Sequence, residues 1–521
     1  MTAGTSSDDC LSRRWVMALV GFLLLSFFVN LGGVPLFDED EGAYAEVTRE
    51  MIASGDFITP RLNGMPFFHK PPMIYWVQAA GVAVFGENEF ALRLPSALAA
   101  TLWVLAVFAF ARRTIGPSAA WYAAIFLISG LQTGIIAKAA IADALLNLFI
   151  TLTCFQIFDY TTGGRRRHII AAFGFMALGV MAKGPIAIAI PLVASGVFFT
   201  VQKRFRDWLR AIFYPGGWLV FLLIAAPWYL MLYRIHGRAF IDEFFFTQNV
   251  DRFRVAFEGH SGSVLYYLPV LIIGVMPHTA FLLKGAASLR AFWKIPVNRF
   301  GLIWFAFVLV FFSLAGTKLH HYIVYGYPPV LLMMAQVVDG VRRRWTITAW
   351  PAAFALILVF IPMVVSVAPR FISDDFARYV VAGVARDIGW RHGWAAVVAL
   401  VLLVGVPRWG RVSRRGHVML NAVVFVVLVN GWVVPVVGDV MQVPIKEAAQ
   451  LARRQNLDVV MWQMTYPSFS FYRGRAVPNR QPAAGEIVIT KRTKLDTVSR
   501  HEVIYEKNGI VMTKILSFKQ Q

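Results

Sequence analysis

Apolar runs recur along this sequence from residue 15 to residue 437, most of them roughly 18–22 residues long and parted by short polar clusters. At ~1.5 Å of rise per residue, a helix of that length crosses a ~30 Å hydrocarbon core. The pattern predicts spans near residues 15–34, 92–111, 118–136, 140–160, 168–183, 185–201, 212–232, 263–283, 300–315, 322–338, 346–366, 393–406 and 418–437. Two shorter patterns lie between the first and second spans. Tyr44, Val47 and Met51 recur at helical spacing, with Glu46, Arg49 and Glu50 on other faces, which predicts a helix lying on the membrane surface over 44–53. Residues 73–85, MIYWVQAAGVAVF, follow Pro71 and Pro72 and end at Gly86; too short to span, they predict a second interfacial helix.

From about residue 438 the pattern changes. IKEAAQLARRQ predicts a helix, and DVVMW, SFSFYRG, EIVITK and EVIYEKNGIVMTKI predict strands, the last a hairpin turning at Asn508–Gly509. The expected organisation is a helical membrane unit over 1–437, with its first outer loop at 35–91, and a small outer α/β domain over 438–521.

Composition agrees: 58% of the 521 residues are hydrophobic and 15% charged, which excludes a soluble domain of ordinary make-up. The net charge of +21 raises nucleic acid as a partner, but its distribution argues against one. Arg112–Arg113, Arg165–Arg167, Lys203 to Arg210, Lys284 to Lys294, Arg342–Arg344 and Arg408 to Arg415 all fall on one side of the predicted spans, as the positive-inside rule requires. That rule puts the N-terminus in the cytoplasm and the C-terminus outside. The first apolar run lacks an A-x-A site before Phe37 and is expected to be a retained span. Cys10 and Cys154 offer neither an intramolecular disulfide nor a thiolate metal cage.

Candidate chemistry gathers on the outer side. Asp38, Glu39, Asp40 and Glu41 stand at the outer end of the first span. Asp143 lies just inside a span, with Lys138 a turn away and Lys183 at the Gly184–Pro185 break; an ion pair that merely packs helices is the alternative reading. Lys70, Arg252, His260, Lys318, His320, His321 and Tyr322 belong to segments at the same interface. Any one cation there can simply snorkel, whereas several facing carboxylates and a wide apolar interior suit a phosphate head with hydrocarbon behind it. A zinc site from His320 and His321 is discounted, because adjacent helical residues point apart.

These stretches also carry a resemblance. DEDEGAYAEVTREMIASGDFITPRLNGMPFFHKPPMIYW resembles the first outer loop of the bacterial polyprenyl-phosphate-dependent glycosyltransferases, a group that includes the lipid A aminoarabinose transferases and relatives of the protein O-mannosyltransferases. MAKGPIAI, NVDRF, GHSG, YYLPVL and FFSLAGTKLHHYIVYGYPP match later signatures in order, and YPSFSFYRGRAVP resembles a recurrent piece of the outer C-terminal domain. The resemblance implies a GT-C fold of about thirteen transmembrane helices, two juxtamembrane helices and a small periplasmic α/β domain. It implies that Asp40 is the principal catalytic carboxylate with Glu41 beside it, and that Asp143 is a second acidic position. Lys70, Lys183, Arg252, Lys318 and Tyr322 would hold the donor phosphate, with His69, His260 and His321 as further candidates.

The implied reaction needs these residue types. Sugar transfer passes through an oxocarbenium-like state that a carboxylate stabilises, and a phosphate leaving group needs Lys or Arg. A hydroxyl acceptor would also need a general base, whereas a lipid A phosphate is already anionic. The expected function is transfer of a sugar from an undecaprenyl-phosphate donor to lipid A phosphate or another envelope glycolipid, at the periplasmic face of the bacterial inner membrane. Protein O-glycosylation is the alternative. A lipid-linked sugar transporter would need polar groups through the full depth of the bundle, and a structural scaffold would not need acids and cations to converge. No cofactor is required, although paired acids in DEDE are compatible with a divalent ion.

Overall fold

The computed structural model describes residues 12–251, 262–388, 390–409 and 412–518. Helix follows helix through the apolar part of the chain. The first nine are α1 (Arg13–Phe27), α2 (Asp40–Ser54), α3 (Met73–Phe85), α4 (Glu89–Thr114), α5 (Pro117–Ser129), α6 (Leu131–Lys138), α7 (Asp143–Gly163), α8 (Arg166–Lys183) and α9 (Ile186–Val201). Among the described residues, six helices are long and apolar enough to cross a membrane: α4, α7, Pro215–His236, Pro296–Leu314, Arg344–Arg370 and Arg414–Met441. Helices α5 and α6 make a further crossing if counted as one span, bent by 63°.

Helical structure occurs at every span expected from the sequence, but several are shorter or broken. The stretch expected at 263–283 divides into Tyr267–Gly274 and Thr279–Ala286 around Pro277. The stretch expected at 322–338 opens as a tight 3₁₀ turn, His320–Gly326, before Tyr327–Gln336. Proline and the missing amide hydrogen account for the first break, and the second places aromatic and histidine side chains beside the site described below.

The first loop is more deeply held than its composition implies. Helix α2 begins with Asp40 and Glu41, whose charge suits the positive end of the helix dipole, and it ends at Gly55 with φ 70°. Tyr44, Val47 and Met51 are buried as expected, but so are Glu46 and Glu50. The helix is therefore packed by protein on more than one side. Strands β1 (Arg61–Leu62) and β2 (Met65–Pro66) follow, joined at Asn63–Gly64 with φ of 52° and 80°, the left-handed pair that a tight hairpin needs.

The C-terminal unit is α/β. Strands β3 (Val459–Met461), β4 (Ile487–Lys491), β5 (Val498–Lys507) and β6 (Ile510–Phe518) form a sheet in the order β3-β4-β6-β5. β3 and β4 are parallel and the other pairs antiparallel. The hairpin turns at Asn508–Gly509, both at positive φ, as the sequence predicts. SFSFYRG, expected as a strand, is instead the helix Pro467–Arg473. Pro467 at its first position and Gly474 at φ 81° bracket it as helix start and stop signals.

The expected boundary at 437/438 is not a boundary in the packing. Helix Val434–Met441 runs across it. One buried cluster joins Leu36, Ala45 and Leu92 of the membrane unit to Ile445, Phe469 and Met512 of the C-terminal unit. The loop between α1 and α4 is thus core for both.

Candidate functional site

Local geometry brings four side chains from distant segments to one place. The β1–β2 hairpin turns the chain so that Phe67, His69 and Lys70 follow it directly, and Pro71–Pro72 then open α3. Phe67 stacks on His69 with ring centroids 4.0 Å apart. Lys183 is the last residue of α8, where Gly184 turns the chain at φ 90° so that α9 can start two residues later. The 3₁₀ turn supplies His321, Tyr322 and Tyr325.

These residues line two adjoining cavities. The larger, about 220 Å³, is bordered at one end by His69, Lys70, Lys183 and Tyr322, and along its flank by Ile186, Ala189, Phe311 and Phe312. The smaller, about 70 Å³, shares those first four residues and adds Asp40, Tyr44, Asp143 and His321. Asp40 is exposed and is the one carboxylate of the DEDE segment that borders this space. Lys70 donates from Nζ to the carbonyl of His69 at 3.1 Å, and His69 lies 3.6 Å from Glu243.

Asp143, the first residue of α7, is buried and firmly partnered. Lys183 Nζ donates to both its oxygens, at 2.7 and 2.6 Å, and the Tyr325 hydroxyl donates to Oδ1 at 2.9 Å. His321 Nε2 stands 3.7 Å from the same carboxylate. The alternative reading names an ion pair with Lys138 or Lys183; Asp143 pairs with Lys183, and the pair sits at a cavity wall. Lys138 turns elsewhere and donates to the carbonyl of Val29 at 2.7 Å.

Glu41, expected beside Asp40 in the catalytic set, is placed apart from it. It is buried and borders neither cavity. Its Oε1 accepts from Arg93 Nε at 2.9 Å and from the Ala140 amide at 2.6 Å. Its Oε2 accepts from Arg93 Nη2 and the Phe37 amide, at 2.7 and 2.8 Å. A carboxylate saturated in this way supports the fold. Lys318 is likewise buried, donates to the carbonyl of Ala315 at 2.7 Å and borders neither cavity. Arg252 and His260 lie outside the described residues.

Two contributors, Gln248 and Arg93, went unread in the sequence, and Asp38 enters there only as one of four acids. Gln248, buried in the helical segment Asp242–Asp251, borders the larger cavity, and its Oε1 has no hydrogen-bond partner among the described residues. Arg93 ties the Glu41 carboxylate to the loop. Asp38 accepts from the Ser468 amide at 3.0 Å and from the Ser468 hydroxyl. Burial pushes its carboxyl up to about 7 against those hydrogen bonds, with Glu39 and Glu41 adding to the rise. Among the described residues, no group of three or more His, Cys, Asp or Glu side chains is arranged to hold a metal ion.

Comparison with known proteins follows the same residues. Residues 69–231, which include Lys70, Asp143 and Lys183, match the family model described as dolichyl-phosphate-mannose-protein mannosyltransferase. An undecaprenyl phosphate-alpha-4-amino-4-deoxy-L-arabinose arabinosyl transferase of Pectobacterium carotovorum is 32% identical over 428 residues, covering 74% of each chain. The chain belongs to the GT-C glycosyltransferases that use polyprenyl-phosphate sugars. The same enzyme from Shewanella sediminis is 31% identical to this glycosyltransferase over 62% of the chain, and the match spans 60% of the relative's length. The crystal structure of ArnT from Cupriavidus metallidurans bound to undecaprenyl phosphate superposes with a TM-score of 0.79, covering 96% of this glycosyltransferase and 98% of that chain at 23% identity. That likeness establishes the GT-C fold.

Proposed function

We propose that this glycosyltransferase moves a sugar from an undecaprenyl-phosphate donor to the phosphate of lipid A or to another envelope glycolipid. The observation that carries the reading is the pair of adjoining cavities. A cationic and phenolic end (Lys70, Lys183, Tyr322) opens onto an apolar flank from α9 and Pro296–Leu314, with Asp40 in the smaller compartment beside it. A lipid-linked sugar phosphate has that distribution: isoprenoid along the flank, phosphate at the cations, sugar toward Asp40. Lys183 reaches the phosphate already neutralised in part by Asp143, so Lys70 carries more of the leaving-group charge. Asp40 stabilises the developing oxocarbenium charge and orients the acceptor. Arg252 joins the phosphate sites in this scheme.

In the membrane, the thirteen crossings read from the sequence put the N-terminus in the cytoplasm and Asp40 and the C-terminal unit in the periplasm. A protein hydroxyl is the second acceptor reading, favoured by the match of residues 69–231 to the mannosyltransferase model. Mass spectrometry of lipid A from the native host, with the gene deleted and then complemented, tests the choice. A sugar-sized mass that disappears on deletion, returns with wild type and stays absent with Asp40→Asn supports the lipid acceptor; unchanged lipid A with the gene expressed overturns it. Transfer that survives EDTA treatment supports side-chain cations over a divalent ion at Asp40.

A further inference from the structure

The segment 36–42, which carries Asp40 into the cavity, is gripped from two directions. From the bundle, Arg93 donates to the carbonyls of Leu31, Val34 and Pro35 at 3.1, 2.7 and 2.9 Å, besides pairing with Glu41. From the C-terminal unit, helix Pro467–Arg473 reaches the other side. Its Tyr472 hydroxyl accepts from the Leu36 amide at 2.7 Å while donating to Glu89 at 2.9 Å. Its Ser468 amide and hydroxyl both bond to Asp38. The contact extends through Ser470, whose hydroxyl donates to Asn63 Oδ1 at 2.9 Å, and through Gly474, whose carbonyl accepts from Arg49 at 3.2 Å.

Gly42 shows how close this approach is. A Cβ there would stand 2.1 Å from Asp38 Oδ1 and 2.6 Å from the Ser468 amide nitrogen. The third residue of α2 must lack a side chain for Asp38 and Ser468 to meet. Asp38 borders neither cavity, so its carboxyl serves this contact instead.

We propose that Asp38 is a positioning residue: held by Ser468 of the C-terminal unit, it fixes the first turn of α2 and so the place of Asp40 in the cavity. This rests on the assignment of Asp40 as the catalytic carboxylate. Asp40 is exposed, so its placement comes from the backbone beneath it. Misplacing a reacting group by ~1 Å costs on the order of 100-fold in rate, and a clamp two residues away acts at that scale. The C-terminal unit then has a stated task, to splint the catalytic loop.

The test uses the full-length protein in lipid nanodiscs with a polyprenyl-phosphate sugar donor. Asp38→Ala is expected to lower kcat about 10-fold and Ser468→Ala about 3-fold, since the Ser468 amide remains, with donor KM within about twofold in both. Ser468→Ala should add nothing in the Asp38→Ala background, and Ser468→Thr should restore the rate. Gly42→Ala, which forces the two residues apart without removing either, should match Asp38→Ala. Amide hydrogen exchange across 36–46 should quicken in the impaired variants, while the β4–β6 pairing keeps its protection. Unchanged kcat in folded Asp38→Ala and Gly42→Ala, or independent effects of Asp38 and Ser468, overturns the proposal. If wild type itself transfers no sugar, the proposed function fails separately, and the exchange rates alone decide whether Ser468 and Asp38 hold this turn.

Discussion

Glu41 and Asp143 are both carboxylates buried against a basic side chain, and the two knots they form differ in what surrounds them. Around Glu41, both oxygens are shared between Arg93 and backbone amides, and Arg93 spends its remaining donors on loop carbonyls. Around Asp143, the partner Lys183 also reaches His321 Nε2 at 3.5 Å, and it borders both cavities. A buried ion pair does not by itself mark a functional site. The one whose cation borders a cavity can meet a ligand; the one closed off from both cavities holds the fold together.

The largest effect should come from breaking the saturated knot. Arg93→Met leaves Glu41 charged and unpaired and strips three loop carbonyls of a donor. The expected loss is about 3–5 kcal/mol of stability, read as a lowered unfolding temperature in detergent together with loss of folded yield. Wild-type melting in this variant would mean that water or another cation replaces the guanidinium.

The cavity knot should respond differently. Lys183→Met alone leaves Asp143 unpaired and should destabilise, whereas the double change Asp143→Asn with Lys183→Met removes both charges. Paired removal of a buried ion pair is often close to neutral, so the double variant should melt near wild type. Its transfer rate should still fall on the order of 100-fold, because a charged donor at the phosphate is gone. Full activity in the double variant would make the knot as structural as that of Glu41, and the comparison would collapse.

How much of this was legible in sequence divides along the same line. The span pattern, the α/β composition of the C-terminal unit and the Asn508–Gly509 turn follow from local periodicity and turn chemistry, which act within a few residues. Asp40 was legible as part of DEDE, but nothing local separates it from Glu41 next door; helix rotation sends one to the cavity and the other to Arg93. Arg93 did carry a signal, as a lone cation two positions into an apolar run. Ser468 carried none, because its role depends on a contact with residue 38, far away in the chain. SFSFYRG misled for a physical reason: its residues are buried on every side, so alternation of Ser and Phe reports no exposed face. Pro467 and Gly474 held the better information.

The smallest predicted effect concerns the charge on Asp38 and extends the comparison to a third carboxylate. Its carboxyl is pushed from an ordinary 3.8 up to about 7, mainly by burial. The groups facing it are Glu39 and Glu41 from its own segment and Ser468 and Tyr466 from the C-terminal unit. The folded protein therefore holds a proton here that the unfolded chain releases above its ordinary value. Stability from this group is complete below about 3.8 and is lost as pH rises through about 7. Asp38→Asn keeps an acceptor for the Ser468 amide and a donor for its hydroxyl, but cannot ionise. The unfolding temperature of Asp38→Asn should thus gain on wild type as the buffer moves from acid to mildly alkaline. Glu46 is raised to about 7 by burial as well, yet it is present in both proteins and cancels in the difference. Parallel melting curves across that range would mean that Asp38 stays ionised in the folded protein, with the two Ser468 hydrogen bonds outweighing its burial.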